Sequence, residues 1–285
     1  MIKPRDKEAF YAELTARNSG LISNYEQAVL RQTRFVIAGC GSTGGACIMP
    51  LVRSGAERFV VLDPGDYELS NLNRQDATLA DVGSNKASAS AARILAVNPF
   101  ASVDVDEAGV RPATIMAKLK TGDLVIDAVD VTTPSGVDAK LGLHQAACQL
   151  RLPVITAYDI AATEYLEVFD YRRGGRPLRG LVKVGDAPDT VLRRLIPPLA
   201  VPREIFPELL ARRTDPGRGF PQLAMTSTLL GALIVPYVVR LLTGQPIRER
   251  MRVDLYDLIR PTGPRLVERA RRIGALASLW WQLRG

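Results

Sequence analysis

The sequence predicts an α/β fold: a doubly wound, mainly parallel sheet with an antiparallel extension toward the C-terminus. Three observations carry this. From residue 34, short β-rich runs alternate with small-residue helical stretches, the order that places helices on both faces of a parallel sheet. The apolar runs are nearly unbroken, as strands buried on both faces require. A glycine-rich segment follows the first run directly, where a strand must turn sharply into a helix.

The elements follow in chain order. Residues 1–33 are expected as a helical arm, and RFVIAG (34–39) as the first strand, leading into a helix from about Gly44. RFVVLD (58–63), the helix SNKASASAARILAVN (84–98) and SVDVD (102–106) come next. A helix near 112–120, the strand DLVIDAVD (123–130), a helix to about Leu150 and the strand PVITAYD (153–159) complete the parallel set. EYLEVFDY (164–171) alternates, as an antiparallel edge strand does.

The principal domain therefore spans 34–171. From Arg172 to Pro221 the chain is rich in Gly, Pro and Arg with little periodicity. It is expected as a long crossover segment of the kind that carries function. A helix beginning near Gln222, a strand in RVDLYDL (252–258) and a helical tail make 222–285 a region completing the same domain. Trp280 and Trp281 in that tail are expected to pack on the body or on a partner. The apolar stretch Leu223 to Leu242 contains Thr226, Ser227, Thr228, Pro236 and Arg240, which fits a buried helix better than a membrane span.

Composition narrows the function. Of 285 residues, 47% are apolar and 24% charged, the balance of a globular protein. The N-terminus has no apolar run long enough for a signal peptide, so a cytoplasmic protein with no membrane partner is expected. Cys40, Cys47 and Cys148 form no CxxC pair, and His144 is the only histidine. Disulfide frameworks, structural zinc, Ser-His-Asp triads and multi-histidine metal sites have little to work with. The net charge of +7 is uneven: residues 1–171 carry 16 basic and 21 acidic side chains, 172–218 carry 11 and 5, and 219–285 carry 10 and 4. That C-terminal charge fits an acidic peptide, a nucleic acid or a polyphosphate, or equally a solvated arginine-rich surface.

RFVIAGCGSTGG sets Gly39, Gly41 and Gly44 in a G-x-G-x-x-G motif between strand and helix, the Rossmann-like arrangement that brings backbone N–H groups to a phosphate. Asp63 ends the next strand, where a carboxylate accepts hydrogen bonds from ribose hydroxyls. These features alone specify only an adenine nucleotide. The next segment separates ATP from a dinucleotide: Asn71, Asn73, Arg74, Gln75 and Lys86 fall within sixteen residues. A triphosphate requires several converging cations and amide donors, and hydride transfer does not.

The glycine loop, Asp63, SNLNRQ, DVGxxKA, the pair Asn98 and Pro99, and the run Asp127 to Asp130 occur in the order of the ubiquitin-activating-like superfamily that includes ThiF, MoeB and HesA. The chain resembles that superfamily from about Arg17 to Asp170 and again in the helix after Pro221. The resemblance implies that Gly39, Gly41, Ser42 and Gly44 hold ATP, that Asp63 binds ribose, and that Asn71, Asn73, Arg74, Gln75 and Lys86 serve the phosphates. It implies that Asp130 holds Mg²⁺, and that Arg17 reaches a partner's ATP across a homodimer interface formed by the N-terminal arm. Catalysis would rest on Arg74, Lys86, Asp130 and Arg17, with a substrate carboxylate attacking the α-phosphorus.

The pattern is incomplete. The two CxxC pairs of many relatives are absent, Gly65 stands where relatives often have a second aspartate, and no cysteine follows Cys148. Transthiolation through a cysteine is therefore not expected, and Cys40 and Cys148 are read as packing residues. The expected substrate is the C-terminal carboxylate of a small carrier or ubiquitin-like protein, or of a peptide. Arg172, Arg173, Arg176 and Arg179 form a basic patch suited to an acidic tail. The alternatives are chemistry resembling tRNA threonylcarbamoyladenosine dehydratase, with tRNA as partner; an NAD- or FAD-dependent oxidoreductase; and a non-catalytic nucleotide-binding subunit.

Overall fold

Seven strands form one sheet in the order β3-β2-β1-β4-β5-β6-β7. The computed structural model describes residues 6–212, 215 and 219–282, and the side chains of 277–282, including Trp280 and Trp281, lie outside the described residues. The strands are β1 (Arg34–Ala38), β2 (Arg58–Leu62), β3 (Ser102–Asp106), β4 (Leu124–Asp127), β5 (Pro153–Ile160), β6 (Thr163–Asp170) and β7 (Arg250–Asp254). β1 to β5 run parallel, and β6 and β7 add antiparallel pairs. This is the expected doubly wound sheet with its antiparallel extension.

Two helices form the N-terminal arm, α1 (Lys7–Leu14) and α2 (Asn24–Gln32). The glycine loop starts α3 (Ser42–Arg53), and α4 (Lys86–Val97) and the short α5 (Ile115–Lys118) flank β3. α6 (Pro134–Gln149) joins β4 to β5. It starts where the Thr133 side chain accepts the Gly136 N–H and Pro134 presets the first turn.

Strand periodicity divides the core in two. Phe35, Ile37, Phe59, Val61, Leu124 and Ile126 pack on one face with α3 and α4. Val36, Ala38, Val60, Leu62 and Val125 pack on the other with α6. Each strand therefore sends alternate side chains to opposite apolar layers, and both layers must be covered by helices.

Beyond β6 the structure departs from expectation in three places. The crossover is not a bare loop: it holds α7 (Pro188–Leu195) and α8 (Phe206–Ala211). α7 carries a clear apolar stripe, Val191, Leu192 and Leu195, set within a run rich in Pro, Gly and Arg, whereas α8 is only six residues long. β6 is not an edge, because β7 pairs on its outer side. RVDLYDL is half strand, because Asp254 Oδ1 accepts the Asp257 N–H at 3.0 Å and so caps α10 (Leu255–Ile259).

The apolar helix α9 (Ala224–Leu242) lies in the first core layer, with Leu230, Ile234, Val238 and Leu241 buried there. It meets α3 closely at Gly231, where a Cβ would stand 2.7 Å from the Ala46 carbonyl oxygen. The last helix, α11 (Thr262–Gln282), is tied to the sheet extension by Arg272, whose guanidinium lies 3.4 Å from Asp257 and 3.6 Å from Asp254.

A buried polar network supports the end of β4. Asp127 is fully buried, and its Oδ2 receives Lys140 Nζ at 2.5 Å and His144 Nε2 at 2.9 Å. The Leu178 N–H donates to the Tyr171 hydroxyl, whose own proton then goes to His144 Nδ1 at 2.7 Å. A neutral imidazole protonated on Nε2 satisfies both neighbours, donating to Asp127 and accepting from the Tyr171 hydroxyl. Burial pushes its pKa below the ordinary 6.5, against the pull of Asp127. Burial alone would raise Asp127, but Lys140 and His144 hold it well below its usual range.

Two outcomes follow from this packing. Gly231→Ala is expected to destabilise the protein by about 1–3 kcal/mol, measured as a lower urea midpoint at unchanged m-value; an unchanged midpoint would mean that α9 and α3 part freely. A buried neutral histidine contributes stability that is full above 6.5 and is lost as pH falls below that value through the lower folded one. The depressed Asp127 adds a loss only at more acid pH. The melting temperature should therefore fall between about pH 7 and pH 5, with a shallower fall in His144→Gln; identical slopes would contradict the network.

Candidate functional site

The site is built around the turn from β1 into α3. Gly39 has φ +96°, and a Cβ there would lie 2.5 Å from the Ala128 carbonyl oxygen at the end of β4. A Cβ at Gly44 would collide with the Gly39 carbonyl oxygen. Only glycine fits these positions, so the N-terminus of α3 starts against the strand ends. β2 lies on one side of β1 and β4 on the other, and the turn opens at that switch point, where open α/β sheets form their ligand crevice.

Asp63 is drawn onto this loop. Its Oδ2 accepts the Cys40 N–H at 2.6 Å and its Oδ1 accepts the Gly65 N–H at 2.8 Å. Asn85, the N-cap of α4, donates to the carbonyls of Asp63 and Gly65. Lys86 therefore enters at the first position of α4, its own N–H bonded to Gly65 at 2.9 Å. Its ammonium stands 5.8 Å from the Tyr67 ring centre and makes no ion pair among the described residues.

A 3-10 turn, Leu69–Asn73, leads to Arg74. Arg74 donates to Gln222 Oε1 at 2.6 Å, Asn73 Oδ1 at 2.8 Å and the Ser70 carbonyl at 3.1 Å, all neutral oxygens. Burial lowers its pKa, opposed by the charges of Asp159 and Glu68. Asn73 donates to the Gln222 carbonyl at 3.3 Å, and the Gln75 amide stands 3.6 Å from where a Gly41 Cβ would sit. Asn71 is buried, and its Oδ1 accepts the Glu68 N–H, so it holds the turn together.

The other expected residues are placed differently. Ser42 turns its hydroxyl away from the loop to Asp159 Oδ2, 2.5 Å away, and lies 2.5 Å from Ser227 Oγ. Asp130 is exposed beyond β4, and its carboxylate accepts the Thr132 N–H and hydroxyl at 2.9 Å each. Arg17 is exposed on a 3-10 turn whose next residue, Asn18, donates to the Ser54 carbonyl at the far end of α3. With twelve residues in α3, Arg17 stands about 18 Å from the loop along the helix, so one chain does not bring it to the site. Burial pushes the thiols of Cys40 and Cys47 up, which agrees with packing rather than nucleophilic roles.

The expected basic patch is partly neutralised. Arg172 pairs with Asp170 at 2.6 Å, Arg173 with Asp170 and Glu249, and Arg179 with Glu167. Farther along, Arg203 pairs with Glu268 and Arg252 with Asp254. Sequence reasoning missed Gln222, Asp159 and Ser227. Their only local signal is position: Gln222 and Ser227 flank the start of a helix, and Asp159 ends a strand.

This geometry agrees with comparisons to known proteins. The family model described as "ThiF family" matches residues 15–272. A relative from Mycobacterium tuberculosis (strain CDC 1551 / Oshkosh), the uncharacterized protein MT1398, is 31% identical over 86% of this chain and 35% of its own length. The molybdopterin-synthase adenylyltransferase of Escherichia coli (strain K12) is 28% identical over 52% of this chain and 58% of its own. The chain thus spans about a third of one relative and little more than half of the other. Among solved structures, E. coli MccB with ATP superposes at a TM-score of 0.62 and 16% identity, over 86% of this chain and 68% of that one. That likeness is one of fold. With the family match running through strand, glycine loop, Arg74 segment and α9 alike, the chain belongs to the ThiF family, whose members include ATP-dependent adenylyltransferases.

Proposed function

We propose that this chain binds ATP and activates a carboxylate, giving an acyl-adenylate and pyrophosphate. The observation that carries the reading is a pair of cations at the glycine loop that make no direct ion pair among the described residues, with Asp63 and Asp159 nearby but not bonded to them. Arg74 is bonded only to neutral oxygens, and Lys86 has no ion-pair partner among the described residues. Both border a helix N-terminus, whose free N–H groups add to the field. A triphosphate supplies more negative charge to these cations than the diphosphate of a dinucleotide does.

In this reading Gly39, Gly41, Ser42 and Gly44 set the backbone against the phosphates and Asp63 holds the ribose. Arg74, Lys86, Asn71, Asn73 and Gln75 line the phosphate side. The carboxylate oxygen attacks the α-phosphorus as the bond to pyrophosphate breaks, and pyrophosphate leaves with the electron pair. The carboxylate is already ionised, so no general base is required. That agrees with a single histidine buried in the Asp127 network. Positioning and charge neutralisation by Arg74 and Lys86 are the chemistry the site supplies. Asp130 fits Mg²⁺ as an exposed hard-oxygen ligand at a strand end; magnesium held there would neutralise phosphate charge.

The preferred substrate is the C-terminus of a small carrier or ubiquitin-like protein, or of a peptide. Adenylation in molybdopterin-synthase adenylyltransferase supports activation as the reaction type. Arg17, remote from the loop of its own chain, would act on a nucleotide only from across a homodimer interface.

ATP–pyrophosphate exchange with candidate carrier proteins and C-terminal peptides tests the proposal. Arg74→Ala and Asp130→Ala should each lower exchange by about a hundredfold or more. Full activity in both variants would refute the site, and exchange that requires tRNA in place of a carboxylate would redirect the function.

A further inference from the structure

The β5–β6 hairpin places two carboxyl groups side by side behind the glycine loop, with no cation between them. Asp159 and Glu164 are direct cross-strand partners. Glu164 is 0% exposed. Both of its oxygens, and Asp159 Oδ1, are buried without a hydrogen-bond partner. The remaining oxygen of Asp159 is heavily used. Its Oδ2 accepts the Ser42 hydroxyl at 2.5 Å and lies 3.2 Å from Ser227 Oγ.

That carboxylate joins the parts of the site. Ser42 is the first residue of α3, Ser227 lies in the first turn of α9, and the Arg74 guanidinium feels the charge of Asp159. The groups facing Glu164 leave it without a counter-charge. Asp159 faces it from β5, the neutral Cys47 thiol from α3, and Val253 is its partner on β7. Two adjacent carboxylates, one fully buried and the other half-buried with its inner oxygen shut from water, do not both ionise. One proton on Glu164 supplies the missing donor to the orphaned Asp159 Oδ1. In agreement, burial first and Asp159 second push the Glu164 carboxyl well above its ordinary 4.5.

We propose that protonated Glu164 locks the Asp159 carboxylate by a hydrogen bond, and that this acid pair positions Ser42 and Ser227, and with them the starts of α3 and α9, for the nucleotide. Asp159 and Glu164 act through those side chains and touch no phosphate. The proposal rests on the ATP reading above. With the proton in place the pair carries one negative charge, turned toward the serines. Without it, a second negative charge would stand behind a site that must accept a triphosphate, and would compete for Arg74.

Glu164→Gln keeps a donor and Glu164→Leu removes it. By calorimetry, Glu164→Gln should bind ATP within about twofold of wild type and Glu164→Leu about tenfold more weakly. Infrared spectra should show a protonated carboxyl at neutral pH in wild type that is lost in Glu164→Gln. A raised acid pKa gives stability that is full below 4.5 and is lost as pH rises through the folded value. Wild type should therefore lose stability and ATP affinity toward alkaline pH where Glu164→Gln does not, a comparison that decides the matter even if Glu164→Leu fails to fold. Unchanged affinity in folded Glu164→Leu, parallel pH profiles for wild type and Glu164→Gln, or no protonated carboxyl overturns the positioning role alone. Wild type that binds no ATP overturns the nucleotide reading, and this role with it.

Discussion

The absence of room at the β1–α3 turn is the constraint on which the rest of the structure depends. Gly39 lies against the Ala128 carbonyl and Gly44 against Gly39, so helix, strand end and neighbouring strand meet with no side chain between them. The N-terminus of α3 is thereby held at the switch point of the sheet. Asp63 reaches the loop because the turn exposes the Cys40 N–H to it at 2.6 Å. Gly65 and Asn85 then fix where α4, and with it Lys86, begins.

Charge is distributed around that turn unequally. Away from the loop, the buried cations are paired with carboxylates: Lys140 with Asp127, Arg34 with Asp123, and Arg272 with Asp254 and Asp257. Lys140 and His144 hold Asp127 inside the fold, which leaves Asp130, three residues on, as the carboxylate presented to solvent. At the loop, Arg74 is oriented by Gln222, Asn73 and Ser70 without being neutralised. A guanidinium fixed by neutral acceptors keeps its charge for a ligand.

What could be read from sequence was what is local. Gly39 to Gly44, Asp63 and the Asn71 to Lys86 cluster are short-range signals whose backbone roles follow from residue type. The alternation of β1 to β5 with helices fixes parallel neighbours almost by itself. Contacts that close over long separations left no trace. Ser42 finds Asp159 117 residues away and Ser227 185 residues away; Arg74 finds Gln222 148 residues away. Nothing near Ser42 announces that its hydroxyl turns from the loop toward a strand end. Of the crossover helices, α8 is too short to show a period, while the Val191–Leu195 stripe of α7 was masked by the Pro-, Gly- and Arg-rich run around it. In RVDLYDL, a capping carboxylate overrode the strand pattern halfway along.

Arg74 and Lys86, cations at the glycine loop without a direct ion pair among the described residues, select a triphosphate in this reading. The most direct measurement is a calorimetric comparison of ATP, ADP, AMP and NADH binding to the wild-type protein and to Lys86→Ala. Affinity should rise with each added phosphate in the wild type, NADH should bind weakly, and the gain from AMP to ATP should shrink in the variant. Equal affinity for AMP and ATP, or a preference for NADH, would contradict the account.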